Sequence, residues 1–142
     1  MKVIITGVAG FIGFHLAEKL AMDGYEVEGV DNFNDYYDPQ LKHDRANILK
    51  DKFGIKIIDY DIEIIPWAHY LEGYDAVIHL AAESHVDNSI KNPFAFAQTN
   101  IQGTLNLLEA ARQHWGNNAK QQRFYHISTD EAYGDLEGVE HL

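Results

Sequence analysis

Gly7, Gly10 and Gly13 stand three residues apart, directly behind the apolar run Val3-Ile4-Ile5 and ahead of an amphipathic stretch. Glycines between a buried strand and a helix turn the chain tightly and leave main-chain amides bare. Amides at a helix N-terminus carry partial positive charge and attract an anion such as a diphosphate. The N–H groups around Gly10, Phe11 and Ile12 are expected to face it. One glycine serves the turn, one the close approach of the anion and one the packing of helix on strand. Asp31 closes the next apolar segment, eighteen residues past Gly13. A carboxylate there accepts hydrogen bonds from both hydroxyls of an adenosine ribose and repels a 2′-phosphate. Turn, helix and acid together point to a dinucleotide, NAD in preference to NADP. A second grouping, Thr129-Asp130-Glu131, follows the last apolar stretch. Two adjacent carboxyl groups can divide acid and base work, although such a pair in isolation reads as an acidic loop.

Such groups need a scaffold, and the pattern supplies one by alternating strand and helix throughout. The first strand precedes Gly7, and a helix follows from Phe11 with a mostly apolar stripe at Phe11, Ile12, His15, Leu16, Lys19 and Leu20. Gly24 ends it. A second strand is expected over 26–30, then a helix opened by Pro39 that runs through Leu41, Ala46 and Leu49 to about residue 50. A third strand falls within 54–61, a short helix lies between Pro66 and Gly73, and a fourth strand falls within 75–82. Asn92-Pro93 is an N-cap with proline at the first helical position, and one long helix is expected over 93–115 with Gly116 as its stop. The fifth strand lies within 121–128 and a loop tail follows. Inside that long helix Gly103 is expected to pack closely on the sheet. The fold class is α/β: a Rossmann-like, doubly wound parallel sheet of strand order 3-2-1-4-5, in which ligands bind beyond the carboxyl ends of the strands.

The 142 residues suit one domain, and a net charge of −11 argues against nucleic acid as a partner. Any attraction for phosphate must be local, because the overall field opposes it. There is no cysteine, and the eight histidines form no HExxH-like ligand pair, so no metal site is expected. No stretch has the length of a signal peptide's apolar region or of a membrane span, which leaves no membrane partner and the cytoplasm as the expected compartment.

"TGVAGFIG" followed by "VDN" resembles the extended short-chain dehydrogenase/reductase family, the NAD-dependent nucleotide-sugar epimerases and dehydratases. The resemblance runs through essentially the whole chain. It implies that Asn32 joins Asp31 at the cofactor, that Asp61 and Ile62 contact the adenine ring, and that Leu80, Ala81 and Ala82 line the nicotinamide side. Thr99 is a further candidate for contact with cofactor or substrate. Ser84 and His85 are candidates for the substrate, a nucleotide sugar, although packing explains them nearly as well.

"HLAAESHVDNSI", "TNIQGTLNLLEAAR" and "HISTDEAYGDL" are similar to the dTDP-glucose 4,6-dehydratase branch. That branch passes a hydride from sugar carbon 4 to NAD, loses water across carbons 5 and 6, and returns the hydride to carbon 6. By this resemblance Asp130 is the acid, Glu131 the base, and Thr129 polarises the carbon-4 oxygen. "GFIGFHLAEKL" and "DNFNDYYDPQLK" look more like UDP-sugar 4-epimerases, particularly those acting on uronates, so an epimerase is the alternative. A non-catalytic NAD-binding module is a third reading. The family's Tyr-x-x-x-Lys is absent: Tyr36, Tyr37, Tyr125 and Tyr133 have no lysine four residues on. Residues 1–142 are therefore expected to be the amino-terminal NAD-binding portion of a longer enzyme, inactive alone, its last strands and substrate domain lying further on. The whole enzyme is expected to be a homodimer.

Overall fold

In a computed structural model, the described residues are 1–35, 38–84, 90–116, 121–129, 132 and 134. Five parallel strands, β1 (Lys2–Thr6), β2 (Glu26–Asp31), β3 (Lys56–Asp59), β4 (Ala76–His79) and β5 (Arg123–His126), form one sheet in the order β3-β2-β1-β4-β5. This is the expected order. Strands β1 to β4 are rich in valine, isoleucine or alanine, and the centre of the sheet is covered on both faces, as parallel sheets require.

Alternation along β1 divides the core. Ile4 joins Val30, Ile58, Val77 and Leu107 on one face, while Val3 and Ile5 join Phe14, Ala17 and Leu49 on the other. Helices α1 (Phe11–Met22) and α2 (Pro39–Phe53) cover the second face. The short α3 (Trp67–Tyr70) and α5 (Thr104–Trp115) cover the first. The chain thus winds outward in both directions from β1, leaving a crevice where the β1 and β4 ends part. No helix among the described residues is long and apolar enough to cross a membrane.

Three helical expectations need correction. On α1 the buried residues are Gly13, Phe14 and Ala17, whereas Phe11 and Ile12 are 66% and 60% exposed. Of the expected stripe only Leu16 and Leu20 pack against the core. Glycine at position 13 shifts the contact face, because it lets the helix axis approach the strand.

On α2 the buried positions are Lys42, Ala46 and Leu49, and Leu41 is exposed. Asp38 caps this helix by accepting the Gln40 N–H at 2.9 Å, ahead of Pro39, and it runs past residue 50 to Phe53.

The long helix expected over 93–115 is not uniform. It starts as α4 (Pro93–Phe96), capped by Asn92, widens into a π-helical segment (Ala97–Gly103), and returns to α-helix in α5. Such widened turns cluster at functional sites. Gly103 does pack closely, but against the Ile62 side chain rather than the sheet; a methyl there would lie 2.7 Å from Ile62 Cδ1.

A buried polar knot ties the ends of β1 and β4 together. Thr6 Oγ1 accepts the Leu80 and Ala81 amides at 3.2 and 3.1 Å and lies 2.7 Å from His79 Nδ1. With both amides donating to that oxygen, its own proton goes to Nδ1. The imidazole therefore carries hydrogen on Nε2 and donates to Thr104 Oγ1 at 2.9 Å. The ring is neutral: burial, reinforced by the His126 ring 5.3 Å away, lowers its pKa from 6.5 to about 4.

Two outcomes follow from these contacts. A methyl at position 13 would overlap the Gly7 carbonyl oxygen and lie 2.9 Å from its carbon. Gly13→Ala is expected to cost about 1–3 kcal/mol in urea unfolding despite its better helix propensity, because the obstruction is main chain. The folded His79 binds its proton near 4 and the unfolded one near 6.5. Between these values the unfolded state holds more protons, so His79's contribution is complete above 6.5 and is lost as pH falls toward 4. The loss is of the order of 3 kcal/mol. Unfolding of His79→Gln across that range is expected to lack this part of the slope.

Candidate functional site

The carboxyl ends of β1, β2 and β4 open into a cleft of about 540 Å³. Its floor is the turn after β1. Gly7 adopts φ +71°, donates its N–H to the Val30 carbonyl at 2.8 Å, and lies so close to the Leu80-Ala81 backbone that a methyl there would meet it at 3.0 Å. Gly10 occupies the N-cap of α1 and gives its own N–H to the Gly7 carbonyl at 3.0 Å. No side chain among the described residues caps the helix, so the Phe11 and Ile12 amides head it bare. A methyl at Gly10 would meet only that carbonyl, at 3.1 Å, and would otherwise stand in open space. The three glycines thus have three separate duties: turn, access and packing.

Asp31 supplies the acid. It is 6% exposed, and its carboxylate is aimed by the main chain: Oδ2 accepts the Ala9 N–H and Oδ1 the Phe33 N–H, each at 3.0 Å. Holding Phe33 there puts its backbone at φ +49°, a left-handed conformation unusual for a bulky residue. Its ring stacks flat on His43 of α2, with centroids 4.6 Å apart, which steadies that conformation. Asn32 turns the other way and donates to Asp61 Oδ1 at 2.5 Å, joining the β2 and β3 ends. Beside Asp61, Ile62 offers its carbonyl to the Trp67 indole N–H at 2.8 Å, and Gly103 presses on its side chain.

The opposite wall is built from the turn after β4. Leu80, Ala81, Ala82 and Ser84 all line the cleft, anchored by the Thr6–His79 knot. The π-helical segment adds Thr99, whose hydroxyl donates to Glu63 at 2.6 Å, and Asn100, whose amide grips both main-chain groups of Glu83 at 2.8 Å.

Fourteen residues expected at the site line this cleft: Gly7, Gly10, Phe11, Ile12, Gly13, Asp31, Asn32, Asp61, Ile62, Leu80, Ala81, Ala82, Ser84 and Thr99. Thr129 is not brought to it; the residue is exposed past β5, and its carbonyl accepts the Ala132 N–H at 3.3 Å. His85, Asp130 and Glu131 lie outside the described residues.

Sequence reasoning missed Lys42, Arg45, Asn34 and Glu83, which also line the cleft. It also missed the clamp made by Asn100. A signal for Lys42 existed, since Lys42, Ala46 and Leu49 are spaced 4 and 3 on one helical face.

Comparison with known proteins agrees with the geometry. The family model for GDP-mannose 4,6 dehydratase matches residues 4–141. The dTDP-glucose 4,6-dehydratase of Salmonella typhimurium is 43% identical over 143 residues, covering 96% of this chain and 39% of that protein. UDP-glucuronic acid 4-epimerase from Bacillus cereus, solved with UDP-glucuronic acid and NAD, superposes with a TM-score of 0.85 at 33% identity, over 99% of this chain and 44% of that one. DesIV, a dTDP-glucose 4,6-dehydratase from Streptomyces venezuelae solved with NAD, gives 0.78 at 35%, over 96% and 42%. The chain therefore spans less than half the length of these proteins. Glycine turn, aimed aspartate, strand order and the match over nearly all of its residues agree: this chain belongs to the GDP-mannose 4,6 dehydratase family of Rossmann-fold nucleotide-sugar epimerases and dehydratases.

Proposed function

We propose that residues 1–142 form the NAD-binding part of a nucleotide-sugar 4,6-dehydratase of the dTDP-glucose type, a cytoplasmic homodimer. One observation carries the cofactor: an uncapped helix N-terminus and a buried, pre-aimed carboxylate face the same open cleft. The bare Phe11 and Ile12 amides hold the diphosphate at the positive end of α1. Asp31 accepts from the adenosine ribose. Asp61 and Ile62 border the adenine ring, and Ala81 and Ala82 offer a flat, small-residue wall to the nicotinamide. NAD, when bound, supplies the acceptor for the hydride of sugar carbon 4.

Dehydration in particular rests on Thr129-Asp130-Glu131 and its likeness to the dehydratases. In this reading Thr129 polarises the carbon-4 oxygen. Glu131 removes the proton on carbon 5, which a neighbouring ketone makes acidic, while Asp130 protonates the departing hydroxyl on carbon 6. The second reading is a UDP-sugar 4-epimerase. It is favoured by the closer superposition on the Bacillus cereus enzyme, 0.85 against 0.78. A non-catalytic NAD-binding module differs from both in yielding no product.

Titration calorimetry is expected to show uptake of NAD by the chain. Gly10→Ala, which puts a methyl into the cleft, and Asp31→Ala are each expected to weaken it by about tenfold or more while leaving the protein folded. No heat with wild-type protein would overturn the cofactor reading. Incubating the protein that carries residues 1–142 with dTDP-glucose is expected to give a 4-keto-6-deoxy sugar that absorbs in alkali. Asp130→Asn or Glu131→Gln is expected to lower that rate by about 10²-fold or more. A carbon-4 epimer instead would establish the second reading.

A further inference from the structure

Among the described residues lining the cleft, the charged side chains are mostly acidic: Asp31, Asp38, Asp61, Glu63 and Glu83. The cations are Lys42 and Arg45, one turn apart on α2. Lys42 is only 8% exposed, a rare position for a lysine, and it shares the face of α2 that packs inward. Its ammonium lies 3.5 Å from Asp31 Oδ1 and donates to Asn34 Oδ1 at 2.5 Å. Asn34 is itself oriented from the other end, where its amide nitrogen donates to Glu83 Oε1 at 2.8 Å. Lysine carries three N–H donors, and the third has no partner among the described residues. Arg45 stands near Asp31 too: its guanidinium donates to the Ala9 carbonyl at 3.4 Å, and the Ala9 N–H is one of the two that aim Asp31.

We propose that Lys42 is a cofactor-specificity residue, a cation set against Asp31 at the ribose corner, so that rejection of a 2′-phosphate depends on the Asp31 charge. The inference rests on the NAD reading above and deepens it. Asp31 spends acceptor capacity on Ala9, Phe33 and Lys42 and keeps the remainder for the ribose diol. Lys42 adds a donor to the same sugar and fixes the carboxylate from the cleft side. A 2′-phosphate entering there meets the Asp31 carboxylate, with two cations close behind it. Removing the anion should convert the corner from repelling to attracting phosphate, with no basic residue added.

The test is a two-cofactor cycle on the full chain, with NAD and NADP affinities read by calorimetry for wild type, Asp31→Asn, Lys42→Met and the double variant. Methionine keeps the packed stem and removes the charge. Lys42→Met is expected to weaken NADP more than NAD, raising the preference for NAD. Asp31→Asn is expected to gain NADP affinity by about tenfold or more, and the double variant to lose that gain. Equal loss for both cofactors would show a merely structural lysine and overturn the proposal. So would an Asp31→Asn gain that survives in the double variant, or no gain at all. Wild-type protein that binds NAD with Lys42 immaterial sinks this inference alone; wild-type protein that binds neither dinucleotide sinks the site reading and this inference with it.

Discussion

Main chain touches main chain where β1 turns into α1, and the rest of the site depends on that contact. Gly13 lets the helix settle on the Gly7 carbonyl, and Gly7 lets the Leu80-Ala81 backbone come in from β4. Close approach on both sides brings the N-terminus of α1 to the exact point where the sheet's winding reverses. With a side chain at either place the helix would stand off from the sheet, and its bare amides would no longer face the carboxyl ends of β2 and β4. The attraction for a diphosphate proposed at these amides is thus a consequence of packing. It is needed because the protein as a whole carries a net charge of −11 and offers phosphate no general welcome.

Polar networks then fix the two walls. On the β4 side a neutral histidine, rather than a charged group, joins Thr6 to Thr104, and burial keeps it neutral. A fully satisfied network of this kind specifies one arrangement, since any shift leaves a buried polar atom unpaired. On the β2 side Asp31, Lys42, Asn34 and Glu83 form a chain of contacts that reaches the π-helical segment through Asn100. The widened turn of that segment is what lets Thr99 and Asn100 reach Glu63 and Glu83 while Gly103 presses on Ile62. Both walls are tied to helices on opposite faces of the sheet, so the cleft is held by the whole domain.

Relatives with two different reactions match this chain with similar extent. The physical reason lies in the division of labour within the fold. Holding a dinucleotide demands the same turn, acid and small-residue wall whichever sugar bond is changed later. The turn, the acid and the small-residue wall all lie within residues 7–84, and in the reading proposed above the choice between elimination and epimerisation falls to groups past β5 and to the substrate side.

What the sequence determined by itself was local. The individual strands, the glycine turn, Asp31 at its strand end and the caps at Pro39 and Asn92 are each written in a few neighbouring residues, and a parallel α/β winding leaves little freedom in ordering the strands. Tertiary structure decided the rest. Periodicity puts Phe11 and Ile12 on one stripe with Leu16 and Leu20, yet they line the cleft while those two pack on the core, because Gly13 draws the other side of α1 inward. Lys42 occupies a core position on α2 because Asp31 and Asn34, distant in spacing but adjacent in space, satisfy its charge. The burial of His79 has the same origin. A buried polar group is acceptable only with its partners in place, and those partners come from other elements, beyond the reach of any local pattern.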